Sequence, residues 1–408
     1  MSKYRPLVAA SLSCLLAAAA LADDITVTPG AGAIAAALAK AKSGDTVKIP
    51  AGEFTETVTV PPGVTLEGAG ADKTTLTGVK FAAINAQAHA RIIGFTIKAG
   101  SVTRGVNTSE PVRIERCRFI KVPEAVAMMG APLSDVVACE FIDCPIGVRA
   151  IGKACPTVWG CLFRGGDMGV FAMDGSPYIR NNAFVGQKAG IRMLPPDMEP
   201  AIIRNNVFVN CSEAAVKVLD PKDGFGGPSI RNNVVQNCGA AVISPPSLTQ
   251  NMGHTVFTVT KSPAFRDEKD AKTIEATSEG DAGAAVTDGG EITFKNAALL
   301  DGKGIRVASE VEGTKGTIGP EKEWMRVGVG ATGTLPPQRF GGKDGRLIAN
   351  AVAEEYQYLG VIRRPMGSQS MGVRNGVRCD TIKPGDGKEP TELSFDISRF
   401  FSESGLKP

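Results

Sequence analysis

Three stretches of this chain are nearly the same seven residues: "YIRNNAF" from Tyr178, "IIRNNVF" from Ile202 and "SIRNNVV" from Ser229. Aligned on the second Asn, they place Asn182, Asn206 and Asn233 in one column. The frame continues upstream through Cys161 ("TVWGCLF"), Cys139 ("DVVACEF"), Cys117 ("RIERCRF") and, more loosely, Phe95 ("RIIGFTI"). Successive members are 22, 22, 22, 21, 24 and 27 residues apart. A period of this length means a solenoid, in which each repeat buries its apolar face only against its neighbours.

The pattern inside one repeat says which solenoid. From Tyr178, "YIR" reads as a short strand, "NN" as a tight turn, "AFV" as a second strand, "GQKA" as a turn, "GIRM" as a third strand and "LPPD" as a loop. Three strands per coil and no helical stretch predict three parallel sheets wound round one core. Alternation assigns the inward faces. Ile179, Ile203 and Ile230 point inward in the first sheet. Phe119, Phe141, Phe163, Phe184 and Phe208 do so in the second, and Val148, Val170, Ile191, Val216 and Val242 in the third. The repeated Asn suits a left-handed turn, and its amide can bond the matching turn one coil away. Abundant Gly and Pro (48 and 26 residues) fit many short elements joined by turns.

With these residues in view, the chain resembles the right-handed parallel β-helix superfamily that includes pectate lyases and pectin methylesterases. The stretch "AIAAALAKAKSGDTVKIPAGEFTETVTVPPGVTLEGAGADKTTLTG" is similar to the first turns of such proteins. There, an amphipathic helix bearing Ile34, Leu38 and Ala41 would plug the open end of the tube and hide its strand edge. The expected fold is all-β: a single-stranded, right-handed parallel β-helix of three parallel sheets with an N-terminal capping helix and a small C-terminal mixed α/β region. The domain reading is a signal peptide over 1–22, the β-helix over 23–262, a linker over 263–285 and a C-terminal region of unrecognised type over 286–408. The resemblance is specific for fold and not for activity, because this tube carries many functions.

Lys3 and Arg5, an apolar run and Ala20-Leu21-Ala22 make the first 22 residues read as a secretory signal, so the expected location is periplasmic or extracellular. No later stretch is apolar for long enough to span a bilayer. The formal net charge of +3 gives no reason to expect a nucleic-acid partner. Eight cysteines follow the signal: Cys117, Cys139, Cys144, Cys155, Cys161, Cys211, Cys238 and Cys379. Two inward columns, Cys117–Cys139–Cys161 and Cys144–Cys211–Cys238, read as small apolar fillers. Cys211–Cys238 is the candidate disulfide, since a one-coil rise lies within the allowed Cα separation, although parallel side-chain directions oppose it.

In the resembled superfamily, substrate lies along the outward face of the third-type strand. That column here is Ala127, Arg149, Phe171, Arg192, Lys217 and Ile243. Cations that pair with uronate carboxylates, beside a ring that stacks on a sugar face, suit an acidic polysaccharide. A second outward column, Trp159, Arg180, Arg204 and Arg231, lies on the first sheet and adds binding candidates. Its like charges one coil apart call for anionic partners. A lyase-like reaction would use Arg192 or Lys217 as proton acceptor. Asp174 and Asp220, at equivalent loop positions two coils apart, are candidate calcium ligands, although loop aspartates are commonly turn formers. The Gly-Phe-x-Ala-x-Asp context of pectin methylesterases is not completed by "IGFTIKAG", which lacks the Asp. The competing expectation is a non-catalytic envelope or adhesion protein whose tube presents its C-terminal region to a partner. In that region "RLIANAVAEEYQYLG" has helical spacing, while "EITF" and "WMRVGVG" read as strands.

Overall fold

The structure is a computed structural model and describes residues 22–130, 133–152, 154–194, 201–219, 227–245, 252–253, 255–260, 278–297, 324–333, 347–348, 365–374, 377–385 and 392–396. The repeat winds into three parallel sheets. The first has 11 strands, from Asp24–Thr26 to Met252–Gly253. The second has 11, from Gly52–Thr55 to Ser278–Glu279, and the third has 9, from Val58–Val60 to Val242–Ile243. Each strand pairs with its counterpart one coil away, so equivalent residues stack in register: Ile179 on Ile203 on Ile230, and Val148 on Val170 on Ile191. The three-sheet parallel β-helix predicted from the period is present, and the inward residues assigned by alternation are buried.

Stacking makes columns of like residues, and the phenylalanine column is the clearest. Phe119, Phe141, Phe163, Phe184 and Phe208 lie ring on ring, with centroids 4.5–5.1 Å apart and planes within 8° of parallel. The rings need room on the third strand. A Cβ at Gly147, Gly169 or Gly190 would come within 2.7 Å of the ring of Phe163, Phe184 or Phe208. Those glycines are therefore spaces cut for the aromatic stack.

The paired asparagines divide two jobs that the sequence reading gave to one residue. The first of each pair, Asn181, Asn205 or Asn232, takes the left-handed conformation, with φ of 56–57°. The second is buried and forms a ladder. Asn206 Oδ1 accepts from the backbone N–H and the amide of Asn182, each at 3.0 Å, while Asn206 Nδ2 donates to Ile179 C=O (3.0 Å) and Asn233 Oδ1 (3.1 Å). Cysteine substitutes upstream: Cys161 N–H donates to Asn182 Oδ1 (2.8 Å) and Cys139 N–H to Cys161 Sγ (3.5 Å).

The eight cysteines among the described residues are free thiols, which corrects the Cys211–Cys238 disulfide candidate. Their side chains point the same way one coil apart, and Cys211 N–H donates to Cys238 Sγ (3.3 Å). Burial pushes the Cys117 thiol up to about 12 and that of Cys144 up to about 11.

The tube's first end is closed by the helix Ala33–Leu38, which buries Ile34 and Leu38. Gly32 supplies no side-chain cap, and the Glu56 carboxylate of the following coil accepts from the N–H groups of Ile34 (3.3 Å) and Ala35 (3.0 Å) instead. An acidic group at a helix N-terminus satisfies orphan donors and the dipole together.

After the coils, the chain folds back along the tube's side. The antiparallel pair Ala284–Val286 and Ile292–Phe294 packs Ala284, Ile292 and Val327 over Leu162, Ala183, Val207 and Val234, an outward apolar column of the second sheet. "EITF" is thus a strand as expected. "WMRVGVG" corrects to one bridge, Arg326 to Glu291, followed by a 3₁₀ turn at Gly328–Gly330, where Gly328 has φ +81°. Leu347–Ile348, the start of the expected helix, pairs in parallel with Phe395–Asp396, because the edge of Leu393–Asp396 takes its backbone groups. The rest of that stretch lies outside the described residues. Leu347–Ile348 joins a four-stranded sheet with Leu393–Asp396, Val377–Pro384 and Met366–Arg374. Among the described residues no helix is long and apolar enough to cross a membrane, and residues 1–21 of the expected signal are not among them.

Three outcomes follow. Asn206→Ala strands the Asn182 N–H and the Ile179 carbonyl in the core and should cost about 2–6 kcal/mol at roughly 1–3 per orphaned group. Asn205→Gly keeps the left-handed turn and should cost under about 1 kcal/mol, both read by denaturant unfolding. A thiol reagent at pH 8 should leave Cys117 and Cys144 unlabelled in the folded chain and label them once it is unfolded.

Candidate functional site

The coils offer three outward faces, and among the described residues the C-terminal segment packs on two of them. On the second sheet the hairpin covers the apolar column. It is pinned by Arg164 donating to Thr287 C=O (2.7 Å) and by Glu140 Oε1 accepting from Val329 N–H (3.1 Å). On the first sheet, Trp324 packs on Trp159 with centroids 5.8 Å apart, and Gly328 N–H donates to Gly160 C=O (2.8 Å). Gly160 is required twice over: its φ is +65°, and a Cβ there would sit 2.2 Å from the Trp324 ring. Trp159 is consequently 7% exposed, a buried anchor for the C-terminal segment and not an open sugar platform.

The remainder of the first-sheet column follows from that anchor. Arg180 lies 5.0 Å over the Trp159 ring and donates to Tyr178 Oη at 2.9 Å. Arg204 and Arg231 stack below it, in register and half-buried. This column and the third-sheet column lie on different faces of the tube, so one linear ligand does not run along both.

The third sheet carries the column that the sequence singled out, in the expected register. Ala127, Arg149, Phe171, Arg192, Lys217 and Ile243 occupy successive coils. Arg149 Nη1 bonds Glu124 Oε1 at 2.6 Å, and Arg104 Nε holds the other oxygen of that carboxylate at 2.9 Å. Arg104 also donates to Asn107 Oδ1 (2.8 Å) and lies 4.8 Å over the Phe81 ring. Lys217 is ion-paired with Glu213. Arg192 differs from both in having no hydrogen bond or ion pair among the described residues; its Nε is buried without a partner, as is that of Arg149. A half-buried guanidinium with an unsatisfied donor is the group on this face that most needs an incoming anion. Phe171, half-exposed, stands one coil before it and Lys217 one coil after.

Glu124, Glu213 and Arg104 went unread in the sequence. Aligning whole third strands would have found two of them, since Glu124 and Arg104 are in register with each other at the strand's first position. Asp174 is exposed, in a left-handed turn with φ 58°, while Asp220 lies outside the described residues. No group of three or more His, Cys, Asp or Glu able to hold a metal occurs among the described residues.

No family model matches this chain, and no curated protein matches it. Among solved structures, an alginate lyase from Paenibacillus sp. str. FPU-7 is similar at 14% identity, covering 60% of this chain and 98% of its own, with a TM-score of 0.47. A PL6 alginate lyase solved in complex with a trisaccharide is similar at 11% identity, covering 77% and 95%, with a TM-score of 0.37. The PL6 family alginate lyase AlyGC is similar at 12% identity, covering 80% and 61%, with a TM-score of 0.31. The class of this protein, a parallel β-helix with a C-terminal segment folded along its side, rests on its own strand pairings.

The two tryptophans of the chain are Trp159 and Trp324, so fluorescence reports this docking directly. Trp324→Ala should leave the far-ultraviolet strand signal in place and shift Trp159 emission to longer wavelength as water reaches the ring. An unshifted spectrum would contradict the docking.

Proposed function

We propose that the chain binds an acidic polysaccharide along the outward face of the third sheet, with Arg192 as the principal carboxylate ligand. The supporting observation is the uncommitted Arg192 guanidinium, set between a half-exposed ring and a lysine on a face that the described C-terminal residues do not cover. Strands stack about 4.8 Å apart, close to the length of one pyranose unit, so a polymer laid along the axis meets one outward side chain per sugar. Arg149, Phe171, Arg192 and Lys217 then meet it in turn, Arg149 and Lys217 as glutamate-paired cations and Arg192 as the unpaired one. Calcium held by Asp174 and Asp220 belongs to the same proposal as an optional bridge between polymer carboxylates and the loops.

Processing is the second reading, favoured by the Lys217–Glu213 pair beside Arg192. In β-elimination a base removes the proton next to the uronate carboxylate, the bond to the leaving glycosidic oxygen breaks, and that oxygen takes up a proton. Arg192 would neutralise charge building on the carboxylate. The Lys217 ammonium would then be the acid that protonates the leaving oxygen, and the Glu213 carboxylate beside it the base that takes the proton next to the uronate carboxylate. Exported location, periplasmic or extracellular, fits a polysaccharide partner.

The test is titration of the full chain with uronate polymers, alongside ultraviolet absorbance of unsaturated uronate with calcium present or chelated. Arg192→Ala should weaken binding about tenfold or more while the unfolding midpoint stays put. Rising salt should weaken the wild type progressively. Absorbance that rises with time would establish the lyase reaction. Affinity unchanged by Arg192→Ala would sink the proposal and favour the adhesion reading, whose partner site lies in the C-terminal region.

A further inference from the structure

The third sheet carries a second outward column that the glycan reading does not use. Met129, Ile151, Met173 and Leu194 stack in register on successive coils. Each lies two residues beyond its counterpart in the cation column, Ala127, Arg149, Phe171 and Arg192, and so on the same face. Met129 is 40% exposed and the other three are half-exposed. The column at the start of the same strands is mixed, running from Glu124 through the half-exposed Ile146 and Met168 to the buried Ala189. The column of Arg149, Phe171 and Arg192 thus has one continuous apolar column beside it.

Elsewhere in this molecule, an outward apolar column has an occupant. Leu162, Ala183, Val207 and Val234 on the second sheet are buried beneath the chain's own hairpin. The Met129–Leu194 strip has the same construction and remains accessible. It is one side chain wide and spans three coil steps, roughly 14 Å at the strand spacing. Two of its four neighbours on the same strands, Arg149 and Arg192, are cations and a third, Phe171, is a ring, so its occupant is a narrow, repeating, anionic chain with an apolar edge.

Resting on the glycan reading above, we infer that the polymer recognised here is an acyl-substituted uronate, with small esters such as O-acetyl groups on the edge opposite its carboxylates. An unsubstituted uronate polymer would set hydroxyls against Met129, Ile151, Met173 and Leu194, and those hydroxyls would lose water with no partner in exchange. An ester replaces the hydroxyl donor by a carbonyl and a methyl, and the methyl is what an Ile, Leu and Met strip accepts. Methionine, unbranched and polarisable, adapts to esters that do not occur on every unit. With a carboxylate on Arg192, the ester of that unit falls on Leu194 of the same strand, and those of preceding units fall on Met173 and Ile151.

The experiment uses one uronate polymer of fixed chain length, untreated and chemically O-acetylated, titrated calorimetrically into the full chain at one ionic strength. The acetylated polymer should bind about tenfold tighter, the equivalent of burying roughly two methyl groups. Met173→Thr and Ile151→Thr, which put a β-branched residue at a solvent-facing strand position, should each bring the ratio of the two affinities towards one. Equal affinities in the wild type overturn the inference and leave the glycan reading standing. A preference that both variants retain shows that the ester is read elsewhere and overturns the assignment to this strip. Binding of neither polymer overturns the inference and the glycan reading together.

Discussion

The structure depends on strand pairing in strict register at one coil per step. Once coil n+1 sits on coil n with equivalent residues superposed, every interior position becomes a column, and each column must tolerate its own repetition. Aliphatic residues and flat rings do so readily, hence the isoleucine, valine and phenylalanine stacks. A buried amide does so because it carries a donor and an acceptor at opposite edges. Asn182, Asn206 and Asn233 therefore form a ladder in which each amide pairs with the next, and no such relay exists for a buried charge. Outside the tube the same rule turns a single cation into a row, which must find carboxylates, an aromatic face or a ligand.

The chain answers that demand differently on each face. On the first sheet Arg180 rests on Trp159, which is itself sealed by Trp324. On the second, the charged column Arg118–Glu140 gives way to apolar residues from Leu162, where the C-terminal hairpin comes down. On the third, Glu124 and Glu213 neutralise Arg149 and Lys217 and leave Arg192 between them. Among the described residues, the C-terminal segment covers parts of the first and second faces and leaves the third-sheet column uncovered.

The tube was legible because a 22-residue period with alternating strands has few other solutions, and the inward columns Ile179–Ile230, Phe119–Phe208 and Val148–Val242 follow from alternation alone. The split roles of each Asn pair were not legible, since both residues tolerate the left-handed turn and only the wound coil shows which amide faces the core. Trp159 reads as an outward binding candidate because alternation gives orientation and not exposure, and its cover, Trp324, lies far along the chain in a segment without a repeat. The partners of Arg149 and Lys217 were missed for a related reason. Glu124 and Glu213 lie off the column that was followed, and ion pairs on a solenoid run across columns as readily as along them. The third-sheet cation column itself was read in its observed register.

The most direct test of the account is a crystal structure of the full chain soaked with a short uronate oligosaccharide. The account places the oligosaccharide along the third sheet, one sugar per coil, with a carboxylate within hydrogen-bond distance of the Arg192 guanidinium and a ring face over Phe171. Ligand bound on another face of the tube or at the C-terminal sheet, with Arg192 still unpartnered, would contradict it.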